Sequence, residues 1–170
     1  MTVIEAIRRR YSCRAYQDRP IEKQKLDSIF EAARLAPSAK NLQDWRFVVA
    51  TEKQTRRRLA EAASGQTFLE NAGAIIVACS NSDYVMRCGQ SVAPIDVAIA
   101  LEHIALQAAE LGLATCWIGS FDPAKVRAIL DIPTDIAVIE LMALGYPADR
   151  PKEPSREPIE KILCYEKWRF

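Results

Sequence analysis

The chain has 170 residues, 49% hydrophobic and 26% charged, with 23 Lys and Arg against 22 Asp and Glu for a net charge of +1. That length suits a single domain, 1–170, with room for a real core. The even charge balance argues for neither nucleic acid nor an acidic membrane surface as partner. Five widely spaced cysteines (Cys13, Cys79, Cys88, Cys116, Cys164) with no C-x-x-C pair signal neither a zinc site nor a disulfide framework, and no metal site is expected. The N-terminus MTVIEAIRRR has no apolar core of signal-peptide length, so a cytoplasmic location is expected.

Thr2 and Glu5 form a capping box for a first helix whose apolar face is Val3, Ile4 and Ile7, with Arg8, Arg9 and Arg10 at its C-terminal end. Tyr11 to Tyr16 reads as a short extended segment. Pro20 and Ile21 lead into a second helix, to about Leu35, with Leu26, Ile29, Phe30 and Ala33 on one face. A loop, AKNLQDW, precedes a strand over Arg46 to Ala50. A charged helix follows over Lys53 to Ala63, then a helical or turn piece over Thr67 to Ala72. Ala74 to Cys79 is a continuous apolar run, as in a central strand covered on both faces. Asn81 to Gln90 is a loop.

The segment from Ser91 predicts a long helix that is apolar almost all round, with Ser91 as N-cap, Pro94 in the first turn and Gly112 as the left-handed stop. Only Asp96, His103, Gln107 and Glu110 fall on one side. Such a helix is buried. A bilayer span is excluded on the charged and polar residues that interrupt it. His103, the only histidine, reads as a structural residue. A strand over Leu113 to Ile118 ends at Gly119, Asp122-Pro123 caps a small helix to Leu130, and Ile136 to Leu144 is a long apolar strand. Gly145 to Pro158 carries four of the nine prolines and reads as a polar connector to a terminal arm bearing Tyr165, Trp168 and Phe170. Helices flanking an apolar sheet make a layered domain of helices and strands.

No Ser-His-Asp set, paired-carboxylate motif, metal-ligand spacing, G-x-G-x-x-G or P-loop occurs, so an enzyme here would depend on a cofactor. Arg10, Ser12 and Arg14 alternate along the extended segment and share one face. Two guanidinium forks and a hydroxyl match a phosphate, although a solvated basic patch has the same pattern. Arg156 is a second loop arginine, for phosphate or for solubility. Pro37, Ser38, Asn41 and Gln43 lie in a loop suited to the edge of a heterocycle, or to ordinary capping.

Four stretches in order resemble the nitroreductase family of flavoproteins: IRRRYSCRAY, AARLAPSAKNLQDWRFVV, VAIALEHIALQAAELGLATCWIGSF and GYPADRPKEPSREPIEKIL. The resemblance implies an α+β fold, a three-layer α/β/α sandwich with a mainly antiparallel sheet, and a homodimer that exchanges the C-terminal arm, 151–170. It implies FMN as cofactor and NADH or NADPH as co-substrate. Arg10, Tyr11, Ser12 and Arg14 would hold the FMN phosphate and ribityl chain, with Arg156 closing the phosphate site. Pro37, Ser38 and Asn41, from the partner subunit, would contact the ring with Gln43 nearby, and Ile118 and Gly119 would offer backbone N–H groups to its reactive edge. The activity implied is ping-pong hydride transfer to a nitroaromatic, quinone or similar small molecule. A specialised flavoenzyme (dehalogenase, heterocycle oxidase or flavin-destroying) or a non-catalytic flavin-binding redox sensor or electron carrier, with Cys88 as a redox partner, are the alternatives. Asp44 stands where the family pattern has proline, and the short 81–90 loop implies an open pocket.

Overall fold

A computed structural model describes residues 1–149 and 155–170. Helix α1 (Val3–Arg9) carries the anticipated capping box: Thr2 N–H donates to Glu5 Oε2 at 2.7 Å and Glu5 N–H to Thr2 Oγ1 at 3.4 Å. Helix α2 (Lys23–Arg34) leads through a 3₁₀ turn, Ala39–Asn41, to strand β1 (Trp45–Ala50). Then come α3 (Lys53–Ala62), a 3₁₀ turn at Thr67–Asn71, β2 (Ala74–Ser80), α4 (Val92–Glu110), β3 (Ala114–Ile118), α5 (Pro123–Leu130) and β4 (Ala137–Gly145).

The four strands pair antiparallel throughout, in the order β1-β2-β4-β3, with β2 and β4 in the middle. Alternation along the strands divides the core into two layers. Ile76, Ala78, Met142 and Leu144 pack with Ile29 and Ala33 of α2 and with Val97, Leu101 and Ile104 of α4. Ile75, Val77, Leu141 and Ala143 pack on the other face with Leu59 of α3, Leu69 and Val126 of α5. Helices on both faces explain why every residue of β2 is buried and why its sequence is a continuous apolar run. The result is the expected α+β, α/β/α sandwich.

Helix α4 stops as its sequence dictates. Gly112 has φ +75°, Gly112 N–H donates to Ala109 O at 3.3 Å and Leu113 N–H to Ala108 O at 2.8 Å, the two bonds of a Schellman motif. Its start differs from expectation: Ser91 is the N-cap but its side chain makes no capping bond. The loop does that work instead, because Tyr84 O accepts from Val92 N–H at 3.1 Å. A second correction concerns the bilayer. By length and hydropathy (1.4) the helix is long and apolar enough to cross a membrane, so its polar residues do not exclude a span. Its packing between the sheet and α2 is what accounts for its composition.

The polar stripe of α4 faces α2 and the loop after it. His103 Nδ1 lies 3.1 Å from Ala32 O, and Gln107 Nε2 donates to Ser28 Oγ at 3.3 Å. His103 is thus held by the backbone. The connector expected over 145–158 falls partly outside the described residues, as do the first four residues of the 151–170 arm. The described part of the arm exposes Tyr165, Trp168 and Phe170.

Candidate functional site

The segment Arg10–Tyr16 runs along the free edge of β3. Ser12 pairs with Thr115 in a parallel bridge, and Cys13 N–H donates to Thr115 O at 3.0 Å. Alternation runs from Ser12 to Arg14, both exposed with buried Cys13 between them, and breaks at Tyr16, which has their parity but is buried. Arg14 lies near enough to Cys116 of β3 to favour its thiolate, although burial dominates and pushes that thiol up. Burial likewise raises Cys13 and Cys79, so none of these three is an activated nucleophile.

Arg10 closes this row against α4. Its Nε is 3.5 Å from Glu102 Oε1, an ion pair, yet that buried nitrogen has no hydrogen-bond partner among the described residues. Burial raises the Glu102 carboxyl and the Arg10 charge lowers it. A buried guanidinium donor without an acceptor is uncommon in a finished fold, and an anion placed against it would satisfy it. The donor set at this edge therefore fits a phosphate-bearing group.

Tyr11 is engaged by the turn after β4. Its hydroxyl donates to Asp149 Oδ1 at 2.9 Å, and burial raises its pKa far above the ordinary phenol value. This bond ties the segment to the turn after β4. Arg156 is exposed and Nη1 donates to the neighbouring Ser155 O at 3.0 Å, so within one protomer nothing described joins it to Arg10 or Arg14.

Strand β3 ends at buried Ile118, and exposed Gly119 follows. Glu140 of β4 stands beside them. A Cβ on Gly119 would lie 4.0 Å from both of its carboxylate oxygens. Leu141 N–H donates to Glu140 Oε1 at 3.3 Å, and burial pushes the carboxyl up while the Leu141 hydrogen bond and the nearby Ile118 N–H hold it down. Glu140 was not among the residues expected at this site. Its one sequence signal is being the only charged residue in the apolar run of β4.

Pro37, Ser38, Asn41 and Gln43 come together at the other side. Lys40, Asn41 and Gln43 have positive φ values of 50°, 57° and 55°, a conformation that costs non-glycine residues energy and persists where surroundings impose it. Ser38 Oγ accepts from Gln43 N–H at 3.0 Å, Gln43 Nε2 donates to Asn41 O at 3.2 Å, and Arg46 Nη1 donates to Gln43 O at 3.0 Å. Lys40 Nζ sits 4.3 Å from the Tyr84 ring centre, joining this loop to the 81–90 loop. The buried Asp96 carboxylate accepts from Ala39 N–H. The 37–43 loop leads into β1 and the Arg10–Arg14 segment flanks β3, so the two groups attach to opposite edges of a four-stranded sheet, roughly 14 Å apart in strand spacing.

Layered α+β domains of this form occur among solved nitroreductases. The nitroreductase family matches this chain over residues 7–74 and 63–146. The NADH dehydrogenase of Thermus thermophilus is 34% identical over 192 aligned positions, covering 94% of this chain and 93% of that one. A nitroreductase family protein from Clostridium difficile has a TM-score of 0.89 at 34% identity, covering 99% of this chain and 100% of its own. The NADPH:FMN oxidoreductase of Vibrio harveyi, complexed with NAD+, has a TM-score of 0.90 at 25% identity, covering 99% of this chain and 78% of its own. The chain belongs to the nitroreductase family.

Proposed function

We propose that this FMN-dependent NAD(P)H oxidoreductase works by alternation in one opening: a reduced nicotinamide enters, gives up its hydride and leaves, and a small acceptor then takes its place. Nitroaromatics and quinones are the acceptor classes. FMN supplies the electron-transfer chemistry when bound. Arg10, Ser12 and Arg14 hold its phosphate and ribityl chain by charge-assisted hydrogen bonds, and Arg156 closes the phosphate site. The Ile118–Gly119 turn would offer backbone N–H groups to the ring edge. Pro37, Ser38, Asn41 and Gln43 reach the ring from a second copy of the chain.

The observation that carries this reading is the buried Arg10 Nε, ion-paired with Glu102 but without a hydrogen bond among the described residues, in the row with Ser12 and Arg14. The assignment of the two halves to different protomers is supported by their attachment to opposite sheet edges. Exposed Val3, Ile4 and Ile7 on α1, with Leu35 and the Trp168 arm, supply apolar surface for the partner. His103, bound to Ala32 O, reads as a structural residue.

Complementing variants test the reading. A chain with Arg10→Ala/Arg14→Ala and another with Ser38→Ala/Asn41→Ala are each expected to bind FMN weakly as homodimers. Co-expressed and isolated as a mixed dimer, they share one intact site in two, so about half of the FMN capacity and of NADPH or NADH turnover returns. No recovery in the mixed dimer would show that the halves do not meet across an interface.

A further inference from the structure

Glu140 is the one charged side chain in the run Ala137–Gly145, and its position is made by an irregularity in pairing. Ala78 pairs with Glu140 but Cys79 pairs with Val138, so β4 carries an extra residue at the end of the sheet beside Gly119. A bulge of this kind re-aims a side chain. Here it brings a carboxyl to the end of β3, where a Cβ on Gly119 would lie 4.0 Å from both oxygens, Leu141 N–H donates to one of them at 3.3 Å, and the Ile118 N–H is near enough to favour the charge. Burial opposes the charge and the two backbone donors support it. A charge in a half-buried setting acts on its neighbours more strongly than one in water.

We propose that Glu140 tunes the electron affinity of the cofactor at the Ile118–Gly119 turn: its carboxylate disfavours added negative charge there and so lowers the reduction potential of bound FMN. This rests on the flavin reading of the site. The residue acts electrostatically and through the turn, without forming or breaking a bond.

The test uses the FMN-loaded parent protein, Glu140→Gln, Glu140→Ala and a control, Glu61→Gln, whose carboxylate is exposed on α3. FMN dissociation constants for the oxidised and reduced cofactor are measured by titration, and the midpoint potential by equilibration with a reference dye. Removing the charge is expected to favour the reduced form, raising the ratio of oxidised to reduced dissociation constants by about tenfold or more in both Glu140 variants. The potential moves positive in both and stays at the parent value in Glu61→Gln. Should one variant fail to fold, the other decides alone. Parent-like potentials in a folded Glu140 variant that binds FMN would overturn the inference and leave the flavin reading standing. A parent protein that takes up no FMN would overturn both.

Discussion

Asp96 and Ala39 are joined by the carboxylate of one and the N–H of the other, at 3.2 and 3.1 Å to the two oxygens. This contact fastens the loop after α2 to the early turns of α4, where Asp96 is only 5% exposed. Its consequence reaches beyond stability, because the same loop holds Lys40, Asn41 and Gln43 in the left-handed region. Asp96→Ala leaves a donor without its acceptor and is expected to cost about 1–3 kcal/mol in urea unfolding. Proteolysis should concentrate in residues 38–43, and Asp96→Asn, which keeps one acceptor oxygen, should recover part of both losses. Undiminished stability in the alanine variant would mean that the loop is held by other contacts.

Arg10→Ala and Arg14→Ala are each expected to weaken FMN binding by ~10–100-fold, the magnitude of one charge-assisted contact to phosphate. Arg8→Ala, on the exposed side of α1, should bind like the parent. Quenching of FMN fluorescence reads all three. Equal affinities across the set would remove the phosphate assignment.

Acid sensitivity has an identifiable contributor. Glu22 accepts from the Tyr146 hydroxyl and pairs with Arg19 Nη2 at 2.8 Å, and these bonds, the tyrosine's foremost, lower its pKa from 4.5 to about 2. A depressed carboxylate stabilises the fold above its unfolded value, and the contribution disappears as pH falls through the folded value. Parent Tm should therefore exceed that of Glu22→Gln above pH 4.5, and the two should converge near pH 2. Parallel Tm curves across that window would contradict the assignment.

Gly145 sits where two backbones nearly touch: a Cβ there would come within 2.7 Å of Gly73 N and 3.0 Å of Tyr16 Cδ1. Since the nearer obstacle is main chain, Gly145→Ala forces β4 away from the 72–73 turn. The expected loss is about 1–3 kcal/mol by denaturant titration, with no change in FMN affinity per folded molecule.

Much of this architecture was legible in residues whose surroundings are uniform. AIIVAC reads as a central strand because both faces of β2 are covered, and α4 reads as a buried helix because the sheet and α2 enclose it. Gly112 announces its own conformation. Features made by distant pairings were not legible. The bulge that turns Glu140 toward Gly119 depends on register between strands some 60 residues apart. Asp149 takes the Tyr11 hydroxyl across 138 positions of sequence, and Tyr84 O replaces the anticipated cap of Ser91. The left-handed loop residues belong to the same class, since Lys40 and Gln43 carry no local preference that would betray them.

FMN completes the chain and a nicotinamide reduces it. The visible spectrum of the purified protein, recorded anaerobically before and after addition of NADH and then NADPH, tests both. A yellow protein is expected, whose flavin band bleaches with at least one of the two and returns when a quinone or nitroaromatic is added. A colourless protein that refuses added FMN, or a yellow one that neither nicotinamide reduces, would contradict this reading.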